Sequence, residues 1–97
     1  MARSMFPALV VRPAEPSDHA VFARLFTDVA TEERIPSAAV FEHERMATTR
    51  VAENEGVPVG YVYFRPMAEI LHLGELVTLP KARRRGVARA LMSAVVT

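Results

Sequence analysis

The sequence predicts a mixed α/β (α+β) fold with a mostly antiparallel sheet and elements in the order β-α-α-β-β-β-α. Three observations predict it. Short apolar runs rich in β-branched and aromatic residues stand at Leu9–Arg12, Thr49–Glu53, Val57–Phe64 and Glu69–Thr78, the composition of strands. Other stretches repeat their apolar residues every three or four positions, which places them on one helical face. Between the second and third runs, Asn54-Glu55-Gly56 is a tight-turn signal, so the flanking strands form an antiparallel hairpin.

Each element can be justified in order. Leu9-Val10-Val11-Arg12 is a strand ended by Pro13 and Pro16. Ser17 or Asp18 is expected to cap a helix over residues 18–30 by accepting from free N–H groups of its first turn. Val21, Phe22, Leu25, Phe26 and Val29 form the buried stripe of that helix. Pro36-Ser37 restarts a second helix over residues 37–46, with Val40 and Phe41 as its core contacts. In Val57–Phe64, Val59, Tyr61 and Tyr63 point one way and Val62 and Phe64 the other, which suits a central strand covered on both faces. Tyr61 and Tyr63 are therefore read as core residues. Pro80 cannot donate a ladder hydrogen bond and ends the strand Glu69–Thr78. Val87, Leu91, Ala94 and Val95 mark the apolar face of a last helix beginning near Arg85.

Composition excludes several chemistries. A chain of 97 residues is expected to form one domain with one core. With no cysteine, disulfides, thiolate metal sites and cysteine nucleophiles are all excluded. His19 and His43 stand on helices without other ligands nearby in sequence, so no metal site is expected. No run approaches the ~18–20 apolar residues of a membrane span, and the N-terminus lacks a signal-peptide core. A cytoplasmic protein without membrane partners is the expectation.

Charge distribution is more informative than net charge. The chain carries only +1, yet five of its twelve basic residues fall between Lys81 and Arg89 with no acid among them. A strand ends at Thr78, a basic turn follows, and a helix begins near Arg85. A helix N-terminus presents unpaired N–H groups and the positive end of the helix dipole, a ready site for phosphate. Gly86 has no side chain to block close approach, and Ala88 is the next smallest choice. The arginines add charge-assisted hydrogen bonds, so two linked phosphates would suit the place. A solvated basic surface fits the same residues. A nucleic-acid patch fits less well, because no aromatic residue interleaves with the arginines. The pattern is neither the P-loop nor the Rossmann fingerprint.

The segment Leu76-Val77-Thr78-Leu79-Pro80-Lys81-Ala82-Arg83-Arg84-Arg85-Gly86-Val87-Ala88-Arg89-Ala90-Leu91-Met92 resembles motif A of the GNAT N-acetyltransferase family. That motif runs Arg/Gln-x-x-Gly-x-Gly/Ala between a strand and a helix, and Arg83, Gly86 and Ala88 stand at its defining positions. Leu9–Ala14 with Ser17-Asp18 is similar to the family's opening strand and helix. Val51-Ala52-Glu53 and Val59-Gly60-Tyr61-Val62 are similar to its second and third strands.

The resemblance implies a GNAT-like fold and direct transfer of acetyl from acetyl-CoA to a primary amine, without a metal. It places Leu76, Val77 and Thr78 on the strand that pairs with the pantetheine arm. It gives Arg83, Arg84, Arg85, Gly86, Val87, Ala88 and Arg89 to the pyrophosphate. It puts Glu75 beside the thioester as the leading candidate for the general base, whereas on general grounds a surface acid or a structural ion-pair partner is the commoner role of such a residue. His72 lies at odd separation from Glu75, so on a regular strand at most one of them faces the cleft.

The resemblance further implies that residues 1–97 are an incomplete domain, without its C-terminal half. The region that usually supplies the tyrosine protonating the leaving thiolate is not in this sequence. The open edge of Glu69–Thr78 is then expected to recruit a second copy or another chain. The competing function is a non-catalytic CoA-binding or oligomerising half-domain.

Overall fold

The computed structural model describes residues 9–29, 33–67, 70–79 and 86–96. Seven elements follow in the expected order: β1 (Leu9–Pro13), α1 (His19–Val29), α2 (Ala38–Val40), β2 (Thr49–Asn54), β3 (Val57–Met67), β4 (Ile70–Thr78) and α3 (Val87–Val96). The strands form one sheet in the order β1-β2-β3-β4, and each neighbouring pair is antiparallel.

The β2–β3 hairpin turns on Glu55 and Gly56, with Asn54 directly opposite Val57. Both central residues have positive φ, 53° and 82°, as a two-residue turn matched to the strand twist requires. The turn falls where the sequence signal stands: Asn54 closes β2, and Glu55 and Gly56 take the two left-handed positions.

Alternation along β3 assigns the two faces of the sheet. The Tyr61 ring meets Phe22 of α1 at a centroid distance of 5.3 Å, so α1 covers the Tyr61 face. Val87 of α3 lies over Gly60, the adjacent residue, so α3 covers the opposite face. Both faces of β3 are thus covered, and Val59, Tyr61 and Val62 are buried. Phe22, Leu25, Phe26, Phe41 and Val51 fill the α1 side together with Tyr61. Leu91 and Val87 close the other side, where Ala52 and Gly60 leave room for the helix.

The entry to α1 departs from expectation. Pro16–Asp18 form a 3₁₀ turn before the helix, and Asp18 reaches backward instead of capping forward. Its carboxylate accepts from the Glu15 backbone N–H at 2.7 Å. It also accepts a two-pronged bond from Arg12, at 2.8 and 2.9 Å. Arg12 in turn donates to Glu53 of β2 at 2.9 Å, tying β1, β2 and the start of α1 together.

Burial pushes the Asp18 carboxyl up, but the bonds from Arg12 and from the Glu15 N–H outweigh it, and the net shift is downward. A carboxylate with a lowered pKa stabilises the fold fully above its unfolded value, about 4, and loses that contribution as pH falls through the folded value. Asp18→Asn should therefore lower the unfolding free energy by about 2 kcal/mol at neutral pH. In a urea titration series the gap to wild type should close below about pH 4. A gap that stays constant into acid would show that the charge of Asp18 is not what stabilises.

The second helical segment is short and irregular. Ser37 caps it, its hydroxyl accepting from the Val40 N–H at 3.2 Å. Ala38–Val40 passes into a π-helical turn at Phe41–Arg45 and a 3₁₀ turn at Met46–Thr48. Phe41 is fully buried as expected, but Val40 is exposed. Phe41 is turned into the core and Arg45 toward the sheet, while Val40, just before the π turn, faces solvent.

Candidate functional site

The end of β4 and the start of α3 meet across Gly60. A Cβ built on Gly60 would lie 2.7 Å from the Val77 carbonyl oxygen and 3.1 Å from a Val87 methyl. The missing side chain lets α3 begin hard against the sheet, beside Thr78. Val87 is buried as the anchor of that helix, while Gly86, Ala88 and Arg89 are exposed.

The first intrahelical bond of α3 runs from the Ala90 N–H to the Gly86 carbonyl at 3.0 Å. The N–H groups of Val87, Ala88 and Arg89 therefore have no acceptor within the helix. Gly86 sits at φ 86°, and a Cβ there would meet nothing within 4 Å. Among the described residues nothing crowds Gly86, and its backbone conformation is one that glycine adopts without strain. The residues fit a phosphate-bearing ligand. Arg83, Arg84 and Arg85 lie outside the described residues.

The edge of β4 faces the same end of the sheet. The Leu79 N–H donates to the Val59 carbonyl at 2.9 Å, and Val77 and Glu75 stand opposite Tyr61 and Tyr63. Alternation then turns the N–H and C=O groups of Leu76 and Thr78 toward the outer edge. Among the described residues no strand pairs with that edge. An extended ligand with amide groups has a row of complementary partners there.

The β4 ladder is broken once. Tyr63 pairs with Glu75 and Phe64 with Leu73, which leaves Gly74 as the extra residue of a bulge. A Cβ on Gly74 would come within 2.5 Å of the Tyr63 ring, so glycine is what allows that ring to lie against the strand. A bulge bends its strand and re-aims the next side chain, here Glu75. It also removes the regular alternation on which the relation of His72 to Glu75 rested. The His72 side chain lies outside the described residues.

Glu75 points into the α1 face and is held by two partners. Arg45, the last residue of the π turn, donates Nη1 to Oε1 at 2.6 Å and Nη2 to Oε2 at 3.1 Å. The Tyr61 hydroxyl donates to Oε1 at 3.1 Å. The pair is largely enclosed, with side-chain exposures of 15% for Arg45 and 14% for Glu75. The guanidinium stacks 4.2 Å from the Tyr63 ring centroid, with Phe22 and Phe26 at 5.3 and 5.4 Å.

Burial lowers Arg45, but its bond to Glu75 more than offsets this and the net shift is upward. Burial first, and then the Glu75 carboxylate, push the Tyr61 hydroxyl well above the usual phenol range. The Tyr61 hydroxyl thus keeps its proton and serves Glu75 as a hydrogen-bond donor.

The structure brings Glu75, Leu76, Val77, Thr78, Gly86, Val87, Ala88 and Arg89 to one end of the sheet. Val77 is the exception in orientation, since its backbone groups serve β3. The sequence reading missed Arg45 altogether, because it lies thirty positions from Glu75 in a segment of weak helical pattern. The bulge was detectable, since a lone glycine within a strand pattern signals one. Among the described residues no group of His, Asp and Glu could hold a metal ion, and no helix is long and apolar enough to cross a membrane.

Comparison with known proteins agrees with this fold. No curated protein sequence matches the chain. N-acetylglutamate synthase from Neisseria gonorrhoeae, complexed with coenzyme A and N-acetyl-glutamate, superposes with a TM-score of 0.78 at 19% identity, over 91% of this chain and 22% of that one. Ard1 from Thermoplasma volcanium gives 0.75 at 21% identity, over 92% of this chain and 62% of that one. Diaminobutyrate acetyltransferase from Paenibacillus lautus, bound to L-2,4-diaminobutyric acid and coenzyme A, gives 0.72 at 21%, over 92% of this chain and 57% of that one. The chain thus spans between about a fifth and three fifths of these structures, and at such identity they speak to the fold. The family model for GNAT acetyltransferases matches residues 12–97, and the chain belongs to the GNAT acetyltransferase family.

Proposed function

We propose that this chain binds acetyl-CoA at the β4 edge and the start of α3, and that it transfers the acetyl group to a primary amine. The observation that carries the reading is the placement of the Gly86–Arg89 helix start beside Thr78, on the same edge as the outward backbone groups of Leu76 and Thr78. The helix N–H groups suit a pyrophosphate, and the strand edge suits the amides of a pantetheine arm. Arg83, Arg84 and Arg85 complete the anion site in this reading. The solved relatives bound to coenzyme A support it.

In the reaction, the amine nitrogen attacks the thioester carbonyl carbon, a C–N bond forms and the C–S bond breaks. An ammonium acceptor first gives up one proton, and a second proton leaves nitrogen and ends on sulfur as the free thiol. Glu75 is the carboxylate of this chain assigned to accept from the amine. N–H groups at the β4 edge polarise the carbonyl oxygen. A second copy, or another polypeptide, covers the remainder of that edge, and the cysteine-free composition favours a cytoplasmic setting.

A second reading has a specific observation behind it. Because Glu75 is already paired with Arg45, a chain that binds coenzyme A without turning it over is the competing function.

Calorimetry with acetyl-CoA followed by thiol release with a mixed-amine panel separates the two. Gly86→Glu should reduce acetyl-CoA affinity at least tenfold, about 1.4 kcal/mol, by placing a carboxylate where the phosphate sits and forcing a side chain onto positive φ. Undiminished affinity in that variant would move the cofactor away from α3. Binding without thiol release from any amine would leave the non-catalytic reading standing.

A further inference from the structure

We infer that Arg45 and Tyr61 are positioning residues for Glu75, and that together they leave one acceptor site, on Oε2, to meet the acceptor amine. The inference rests on the acetyltransferase reading above and adds to it the atom that receives the amine and the groups that aim it.

A carboxylate offers about four acceptor sites, two on each oxygen. Oε1 is filled by Arg45 Nη1 and the Tyr61 hydroxyl. Oε2 takes only Arg45 Nη2, and by the longer of the two guanidinium bonds. Among the described residues one site is therefore open, and it is on Oε2. An amine N–H that reaches Glu75 has that single site to use.

The cluster is built to keep this direction fixed. A planar guanidinium bonded at both Nη atoms sets the plane of the carboxylate, which an ammonium on a flexible stem cannot do. Arg45 is itself held at two ends. Its guanidinium stacks on Tyr63 at 4.2 Å, and its carbonyl accepts from the Thr49 hydroxyl at 2.8 Å. The π turn that places Arg45 is an uncommon backbone form, and here it ends on the residue that reaches Glu75. The Gly74 bulge aims Glu75 from the other side. Two irregularities, far apart in sequence, converge on one ion pair.

Charge leads to the same role. Arg45 neutralises Glu75, so the pair acts best as an oriented acceptor of an N–H bond that directs the nitrogen lone pair toward the thioester. Misplacement of such a group by about 1 Å is enough to slow a reaction by about a hundredfold.

The test is steady-state kinetics of the chain with acetyl-CoA and an amine that the wild type acetylates, on Arg45→Lys, Arg45→Met and Tyr61→Phe. Arg45→Met should lose about a hundredfold in kcat, with the KM for acetyl-CoA within about twofold of wild type. Arg45→Lys, which keeps the charge and loses the fork, should recover part of that loss. Tyr61→Phe, which frees a site on Oε1 and keeps the ion pair, should lose less than Arg45→Met and raise the amine KM. If Arg45→Met does not fold, the other two variants decide the matter.

Unchanged kcat in folded Arg45→Lys and Tyr61→Phe would overturn the inference. So would a parallel loss of kcat and acetyl-CoA affinity that simply tracks the melting temperature. A wild type that binds acetyl-CoA but releases thiol with no amine removes the acetyltransferase reading and this inference together. A wild type that turns over while all three variants match it removes the inference alone.

Discussion

Replacing Gly60 by alanine should lower the unfolding free energy by about 1–2.5 kcal/mol net, because forcing a methyl group into a filled interior costs about 2–3 kcal/mol. The added carbon would stand 2.7 Å from the Val77 carbonyl oxygen and 3.1 Å from a Val87 methyl. A neighbour at 2.7 Å has to move, and a backbone oxygen in the β3–β4 ladder cannot move without disturbing the sheet. A Gly→Ala change also restricts the unfolded chain, which is worth roughly 0.4–1 kcal/mol in the favourable direction. The clash wins by a factor of two or more.

The second contact gives a way to check the cause. Val87→Ala removes the methyl that meets the new carbon, so in the Gly60→Ala background it should be less destabilising than alone, by about 1 kcal/mol. Simple additivity in denaturant titrations would mean that the helix is not what Gly60 accommodates. Because Val87 anchors α3, Gly60→Ala should also weaken acetyl-CoA binding without touching the ligand. A variant that is destabilised but binds normally would separate fold from site at this position.

Local patterns made much of the fold legible. Helical spacing in Val21–Phe26, the turn at Asn54-Glu55-Gly56 and the two-sided run of β3 each depend on neighbours in sequence, and each has its counterpart in the structure. The errors are equally local in origin. Ser17 or Asp18 was expected to cap forward, because that is the commonest use of such residues before a helix. A guanidinium on β1 drew Asp18 backward instead, and no sequence rule foretells which partner wins. Val40 was expected in the core beside Phe41, but the two neighbours point different ways, and only Phe41 is buried.

The candidate site divides along the same line. Its backbone half, from Leu76 to Thr78 and from Gly86 to Arg89, follows from a strand, a glycine and a helix start close together in sequence. Its side-chain half depends on Arg45, Tyr61 and Glu75, which only the tertiary fold brings into contact. Glu75 was visible as a carboxylate on a strand, but its partner was not, and the partner governs what chemistry the carboxylate can do.

The Arg45–Glu75 pair is also where single substitutions should cost most. With both side chains about 85% enclosed, removing one partner leaves the other charge buried, and such losses run to about 3–5 kcal/mol. Glu75→Gln should approach that range, because the stranded guanidinium cannot shed its proton. Its effect on turnover is therefore interpretable only in protein shown to be folded. Replacing both partners by apolar residues of similar size, as in Arg45→Met with Glu75→Leu, should recover most of the loss, since the desolvation of two charges is avoided.

One residue then remains in deficit. The Tyr61 hydroxyl is buried and donates to Glu75, so in the double variant it has lost its acceptor, at about 1–3 kcal/mol. Adding Tyr61→Phe should return roughly that amount and bring the triple variant close to wild-type stability in urea titrations. A triple variant no more stable than the double would show that the hydroxyl finds another partner. The same triple variant, folded and still binding acetyl-CoA at α3, should have no turnover. Stability and chemistry would then part at these three residues, as they must if the polar groups of the cluster serve the amine.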